Sequence, residues 1–257
     1  MVSTSKASFL KLRSAIVLLF FIPFCLMAQE QQKDSLTDHS YRFKYTQLII
    51  PTVLIGTGII GCKSDWFQFQ NHEISDELQE NIDDKFTIED FAQYAPSLAV
   101  YGLNLCGVKG KHDFRERTII LATSFLIMTT CVTSIKSISH VQRPDKSSYN
   151  SFPSGHTATA FMGATFLWNE YHDVSPWIGV AGYAVAAGTG FFRMYNNRHW
   201  LTDVLAGAGI GILSTDAAYW LYPVIQKTIY KKKHKQALMA MPYYNGQNVG
   251  ASMVLSF

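Results

Sequence analysis

Residues 118–138 read TIILATSFLIMTTCVTSIKSI, and residues 201–223 read LTDVLAGAGIGILSTDAAYWLYP. Each approaches the ~20 apolar residues with which a helix crosses a hydrocarbon core of ~30 Å. Four shorter apolar segments accompany them, at 47–62, 94–108, 156–171 and 176–192. These are rich in Gly, Ala, Ser and Thr and broken by Pro51, Pro96 or Pro176, which helices tolerate where neighbouring helices satisfy the backbone. Small residues at Gly179, Gly182, Ala186, Gly188 and Gly190, and at Ala206, Gly207, Gly209 and Gly211, let helices come close. The pattern predicts an all-α polytopic membrane helix bundle of about six helices, over residues 47–230.

Composition agrees. Only 16% of the 257 residues are charged, against roughly 25% in soluble domains, which argues against a disordered chain, a coiled coil or an ordinary cytosolic enzyme. Mean hydropathy is nevertheless close to zero, so polar segments must dilute the bundle. A net charge of +3 from 22 basic and 19 acidic residues gives no field that would recruit nucleic acid. Cys25, Cys62, Cys106 and Cys131 lie in or beside apolar stretches without metal or redox spacing, and read as unpaired apolar side chains.

Lys6, Lys11 and Arg13 precede an apolar run from Ala15 to Met27, with Ala28 before a polar stretch. This is the order of a signal peptide over residues 1–28, an uncleaved anchor being the alternative, followed by a polar segment at 29–46. Residues 63–93 are acid-rich with interspersed aromatics, Trp66, Phe67, Phe69, Phe86 and Phe91. Two readings stay open there: a helix on the membrane surface with Asp83, Asp84, Glu89 and Asp90 toward water, or a solvated loop packed on the bundle. A basic run opens the segment 231–257, whose tail alternates around Asn245-Gly246, the cue for a short C-terminal β-hairpin.

Three clusters sit at predicted helix ends. Lys136 closes the long apolar run and is followed by Arg143-Pro144; a cation there is costly unless it meets an anion, and the Arg fork suits two phosphate oxygens. Pro153-Ser154-Gly155-His156 precedes the fourth segment: serine N-caps a helix whose free N–H groups attract anions, glycine permits close approach, and histidine carries a proton near neutral pH. By itself such a tetrapeptide is a helix start. Arg193, His199 and Asp203 form the third cluster. His199 and Asp203, four apart, share a helix face, so the carboxylate can orient the imidazole and raise its basicity. If each segment crosses once, the three clusters fall on one membrane face.

Lys136-x6-Arg143-Pro144, Pro153-Ser154-Gly155-His156 and Arg193-x5-His199-x3-Asp203, in that order, resemble the three-part signature of the type 2 phosphatidic acid phosphatase family, which shares its fold with vanadium haloperoxidases. The resemblance covers roughly residues 90–225; Phe192 stands where the family usually has serine before the arginine. It implies a phosphatase in which His199 attacks phosphorus to give a phosphohistidine, Asp203 orients its ring, and His156 protonates the leaving oxygen and then helps activate water. Lys136, Arg143, Arg193, the Ser154 hydroxyl and the Gly155 N–H would hold phosphate oxygens, with no cofactor and no metal, so that activity persists in chelator. A site at the membrane face implies an amphiphilic substrate from the bilayer: undecaprenyl diphosphate or a lipid A phosphate first, then phosphatidylglycerol phosphate or phosphatidic acid. The same residues would serve a lipid phosphotransferase or a vanadate-dependent haloperoxidase, and a non-catalytic lipid-binding membrane protein is the reading in another class.

Lys109, Lys111, Arg115 and Arg117, and the run from Lys231 to Lys235, lie opposite the site. The positive-inside rule puts them in the cytoplasm and the site on the periplasmic face of a bacterial inner membrane. A cleaved signal opposes this, because six crossings from outside would put the site inside. Either 47–62 does not fully cross or the N-terminal signal is not one.

Overall fold

The computed structural model describes residues 44–80, 87–231, 237–244 and 249–256. All six apolar segments are helical: α1 Thr46–Gly61, α4 Ala95–Leu105, α5 Phe114–Ser139, α6 Gly155–Tyr171, α7 Pro176–Tyr195 and α8 Leu201–Lys231. Two further helices, α2 Asp65–Glu80 and α3 Glu89–Ala92, come from the acid-rich stretch, giving eight among the described residues. The expected hairpin is present as β1 Ala237–Tyr244 paired antiparallel with β2 Val249–Ser256, from Ala237↔Ser256 to Tyr244↔Val249. The signal segment at 1–28, Asp83 and Asp84, the basic run at 232–235 and the Asn245-Gly246 turn lie outside the described residues. Cys62, Cys106 and Cys131 are free, as expected; Cys25 lies outside.

Among the described residues, only α5 and α8 (as Leu201–Thr228) are singly long and apolar enough to cross a membrane. They do different work. Of its apolar window α5 buries 22%, leaving Leu126 and Ile138 exposed as a lipid-facing wall, whereas α8 buries 72% and packs against α1, α5 and α6 as the central post. With 16 residues α1 rises about 24 Å, short of the hydrocarbon core, and α2 leaves it at 92°. Residues 65–80 are thus helical, with Trp66 and Phe69 exposed. The polar side of α2 is not simply solvated, because Asn71, Ser75 and Gln79 bond to Thr202 Oγ1 (3.0 Å), Asn197 Oδ1 (3.0 Å) and the Tyr195 carbonyl (3.2 Å). It pins the loop between α7 and α8.

Closely packed glycines, Gly207 and Gly209 among them, set the helix spacing around the post. A Cβ on Gly207 would lie 2.5 Å from the Ser154 carbonyl oxygen, and one on Gly209 2.7 Å from that of Pro51. Gly188, by contrast, has nothing within 4 Å and takes no part in close packing, contrary to the sequence expectation. Gly207→Ala is therefore expected to destabilise the protein by ~1–3 kcal/mol through overpacking, outweighing the ~0.5–1 kcal/mol that alanine adds in a helix. Gly188→Ala should show only that gain. Thermal unfolding of both variants in one detergent checks this, and equal midpoints would sink it.

At the end of α6 away from Ser154, a buried network closes the bundle. Glu170 Oε1 accepts from Tyr219 Oη at 2.7 Å and meets His112 Nδ1 at 2.7 Å, while its Oε2 accepts the His112 N–H at 3.0 Å. Arg117, grouped by sequence with the basic residues 109–117, is 2% exposed and donates from Nε to the His112 carbonyl at 3.1 Å. Its positive charge is drawn inside to hold the loop, leaving Lys109, Lys111 and Arg115 as that loop's outer cations.

Candidate active site

The clusters converge where α5 ends and α6 and α8 begin. Lys136, in the last turn of α5, donates from Nζ to the carbonyls of Asn150 and Ser151 (3.4 Å to the latter). Arg143, in the following loop, donates from Nε to Asn150 Oδ1 at 3.0 Å. Neither has a carboxylate partner among the described residues. Two cations whose hydrogen bonds go to neutral oxygens keep charge available for an anion.

Ser154 is fully buried and N-caps α6, its Oγ accepting from the Thr157 N–H at 3.4 Å and sharing a hydrogen with Thr157 Oγ1 at 2.8 Å. The capping part of its expected role is what the hydroxyl performs here. Its own N–H donates to the Asp203 carbonyl at 3.0 Å, joining the second cluster to the third. Gly155 opens the helix, and its added Cβ would meet only Val132 Cγ1 at 3.7 Å, so the N-terminus is not crowded.

His199 lies in the loop ahead of α8, with Asp203 in the helix's first turn, so the pair meets across the helix start and not along one helical face. Asp203 Oδ2 accepts the Trp200 N–H at 2.9 Å, stands 3.4 Å from His199 Nδ1 and accepts from Ser151 Oγ. Ser151 Oγ is also 3.5 Å from His199 Nδ1. With Nδ1 turned to these oxygens, Nε2 is the ring nitrogen free to carry a lone pair. Burial pushes the imidazole down to about 4, with the Arg193 and Lys136 charges acting in the same direction and Asp203 only partly opposing. The ring is a neutral base at physiological pH.

Arg193, in the last turn of α7, is 6% exposed. Its Nη1 lies 3.4 Å from Glu89 Oε1 and 3.7 Å from Asp90 Oδ1. His156 Nε2 is 3.0 Å from that same Asp90 oxygen. Of the two acids expected toward water, Glu89 is corrected, being 2% exposed and accepting from Asn196 Nδ2 at 2.6 Å, whereas Asp90 keeps a half-exposed carboxylate; both stand at the site. Glu89 can be held out of water because the buried Arg193 guanidinium and the Asn196 amide face it.

The loops are cross-tied as well, by Trp200 Nε1 to the Gln142 carbonyl at 2.8 Å and by Arg198 to Asp145 at 3.0 Å. Lys136, Arg143, Arg193, His199 and Asp203 thereby come close enough to influence one another's charge. Glu89, Asp90, Ser151 and Asn196 are the members that sequence reasoning missed. The weak signal for the acids was a Glu-Asp pair inserted between Ile88 and Phe91.

Residues 117–227 match the model of the PAP2 superfamily. A lipid A 1-phosphatase of Porphyromonas gingivalis is 41% identical over 139 residues, 54% of this chain and 31% of that protein. Bacitracin transport permease protein BcrC of Bacillus licheniformis is 35% identical over 74 residues, 29% of this chain and 34% of that protein. The chain thus spans about a third of the length of these curated relatives. Among solved structures, LpxE of Aquifex aeolicus aligns with a TM-score of 0.44 at 25% identity over 58% of this chain and 94% of that one. A PAP2-type phosphatidylglycerolphosphate phosphatase of Bacillus subtilis aligns at 0.40 and 21%, over 70% and 97%.

Proposed function

We propose that this chain, whose residues 117–227 form a PAP2 superfamily domain, is a membrane lipid phosphatase that cleaves a lipid phosphate monoester or diphosphate through a phosphohistidine on His199. The observation that carries the reading is the buried His199, its Nδ1 toward Asp203 and Ser151, in the field of Lys136 and Arg193, with Arg143 beside Lys136. An imidazole so placed presents Nε2 as a nucleophile, and Asp203 stabilises the positive ring formed as the N–P bond is made. Lys136, Arg143, Arg193 and the α6 N-terminus face the charge that spreads over the equatorial oxygens; positioning and such charge stabilisation dominate phosphoryl transfer. His156 protonates the leaving oxygen and, once neutral, takes a proton from the water that releases phosphate.

An amphiphilic substrate suits the surroundings, because exposed Ile88, Phe91, Ile138 and Tyr149 stand within two residues of Glu89, Asp90, Lys136 and Asn150. The name of the Porphyromonas gingivalis relative favours a lipid A phosphate, with undecaprenyl diphosphate next. The loop cations Lys109, Lys111 and Arg115 adjoin the far end of α6, ~25 Å from the site by its 17-residue rise, and support a periplasmic orientation in the inner membrane.

The test is phosphate release by purified protein from lipid A, undecaprenyl diphosphate, phosphatidylglycerol phosphate and phosphatidic acid, in chelator, with His199→Ala as control. Release from lipid A well above the other lipids, unaffected by chelator, is expected. Failure on all four lipids, with soluble esters cleaved well, would exclude the lipid assignment. Loss in chelator that added divalent metal restores would exclude the metal-free mechanism.

A further inference from the structure

Asp90 has no part in the three-cluster chemistry, yet its Oδ1 lies 3.0 Å from His156 Nε2 and 3.7 Å from Arg193 Nη1. Its backbone is held on both sides. Glu89, next to it, is clamped by Arg193 and by Asn196 Nδ2 at 2.6 Å, and the Asp90 carbonyl accepts from Gln93 Nε2 at 2.8 Å. The short helix α3 contacts α4, α6 and α7, so Asp90 is presented to His156 by a braced segment. The imidazole is 31% exposed on its side chain, and among the described residues no hydrogen bond reaches its Nδ1. The charged groups facing it are Arg193, Asp90 and Glu89.

We propose that Asp90 is a positioning residue for His156: it accepts the Nε2 hydrogen, fixes the ring plane and leaves the Nδ1–H aimed at the leaving oxygen of the substrate. This rests on the reading of His156 as general acid. As the P–O bond breaks, its electron pair goes to the leaving oxygen, which takes the Nδ1 proton. His156 becomes neutral while keeping the Nε2–H···Asp90 bond, and Nδ1 then accepts a proton from the water that attacks the phosphohistidine. The carboxylate matters most while the ring is positive, which is before leaving-group departure. It stands where Arg193 would otherwise oppose that charge.

Leaving-group dependence tests this. Full-length enzyme in detergent is assayed with dodecyl phosphate, whose alkoxide must be protonated, and with a dodecyl-substituted nitrophenyl phosphate, whose phenolate leaves unaided. The readout is the ratio of kcat/KM for the two esters within each variant, which is independent of the fraction of enzyme that folds. His156→Ala should lower the alkyl ester at least 100-fold and the aryl ester less than fivefold. Asp90→Asn should show the same split at about 10- to 50-fold, and Asp90→Glu should recover most of it. A split in His156→Ala with equal losses on both esters in Asp90→Asn would overturn the role of Asp90 alone. No split in His156→Ala would overturn the reading of His156 on which it rests. Should Asp90→Asn give no folded protein, Asp90→Ser is read by the same ratio and decides in the same way.

Discussion

His199→Ala abolishes turnover, with kcat falling by roughly four to six orders of magnitude, the range in which removal of a covalent nucleophile leaves only binding and charge stabilisation. That corresponds to ~5–8 kcal/mol of barrier. The protein should still fold, because a ring with a single pair of long contacts at 3.4 and 3.5 Å contributes little hydrogen bonding at rest. Brief exposure of the wild type to labelled substrate followed by quenching should trap label that is lost in acid and kept in alkali, as a phosphoramidate requires. His199→Ala should trap none, and equal labelling of the variant would remove His199 from the chemistry.

The same group sets the acid limb of kcat/KM. A nucleophile held at about 4 stays unprotonated as pH falls from 7 to 5, and the activity it carries is lost only as pH drops through about 4. Stability changes over a related window. The unfolded chain takes up the histidine proton near its ordinary value of 6.5 and the folded one near 4, so this group makes the protein progressively less stable as pH falls between those values.

Legibility in the sequence followed the range of the contact. α5 and α8 stood out because nothing interrupts their apolar runs, and Lys136, Ser154 and Asp203 because a charged or capping residue at the end of such a run is locally conspicuous. Glu89 and Asp90 both read as turned to water, because acids among aromatics describe a surface helix when only neighbours are visible; Asp90 does stay half-exposed, and Glu89 is the one buried. Their partners are 104 and 66 residues away, at Arg193 and His156. Asn71 reaches Thr202 across 131 residues in the same way. A bundle brings helix ends together irrespective of chain distance, so acidic members with distant cationic partners carry no periodic or capping signature. Ser151 escaped for a different reason: its loop has no regular structure to say which way its hydroxyl points, and contacts distant in sequence, above all its own bond to Asp203, fix that.

Asp203→Asn separates stability from activity. In the resting site the carboxylate is fully buried, Oδ2 accepting from the Trp200 N–H and Ser151, while Oδ1 has no hydrogen-bond partner. Its adjacent ring is neutral, so an incompletely bonded negative charge is held out of water before the reaction starts, and that costs folding free energy. Its benefit comes only when His199 turns positive on forming the N–P bond. Asparagine of the same shape can still accept from Trp200 and Ser151, so the unfolding midpoint should stay level or rise. kcat should nevertheless fall by ~10²–10⁴, because a neutral amide no longer stabilises the imidazolium. Ser151→Ala, leaving the carboxylate in place, should cost no more than about tenfold in kcat. A fall in kcat matched by a fall in the midpoint would make Asp203 a structural residue, whereas a level midpoint with kcat within threefold of wild type would deny it any part in the reaction.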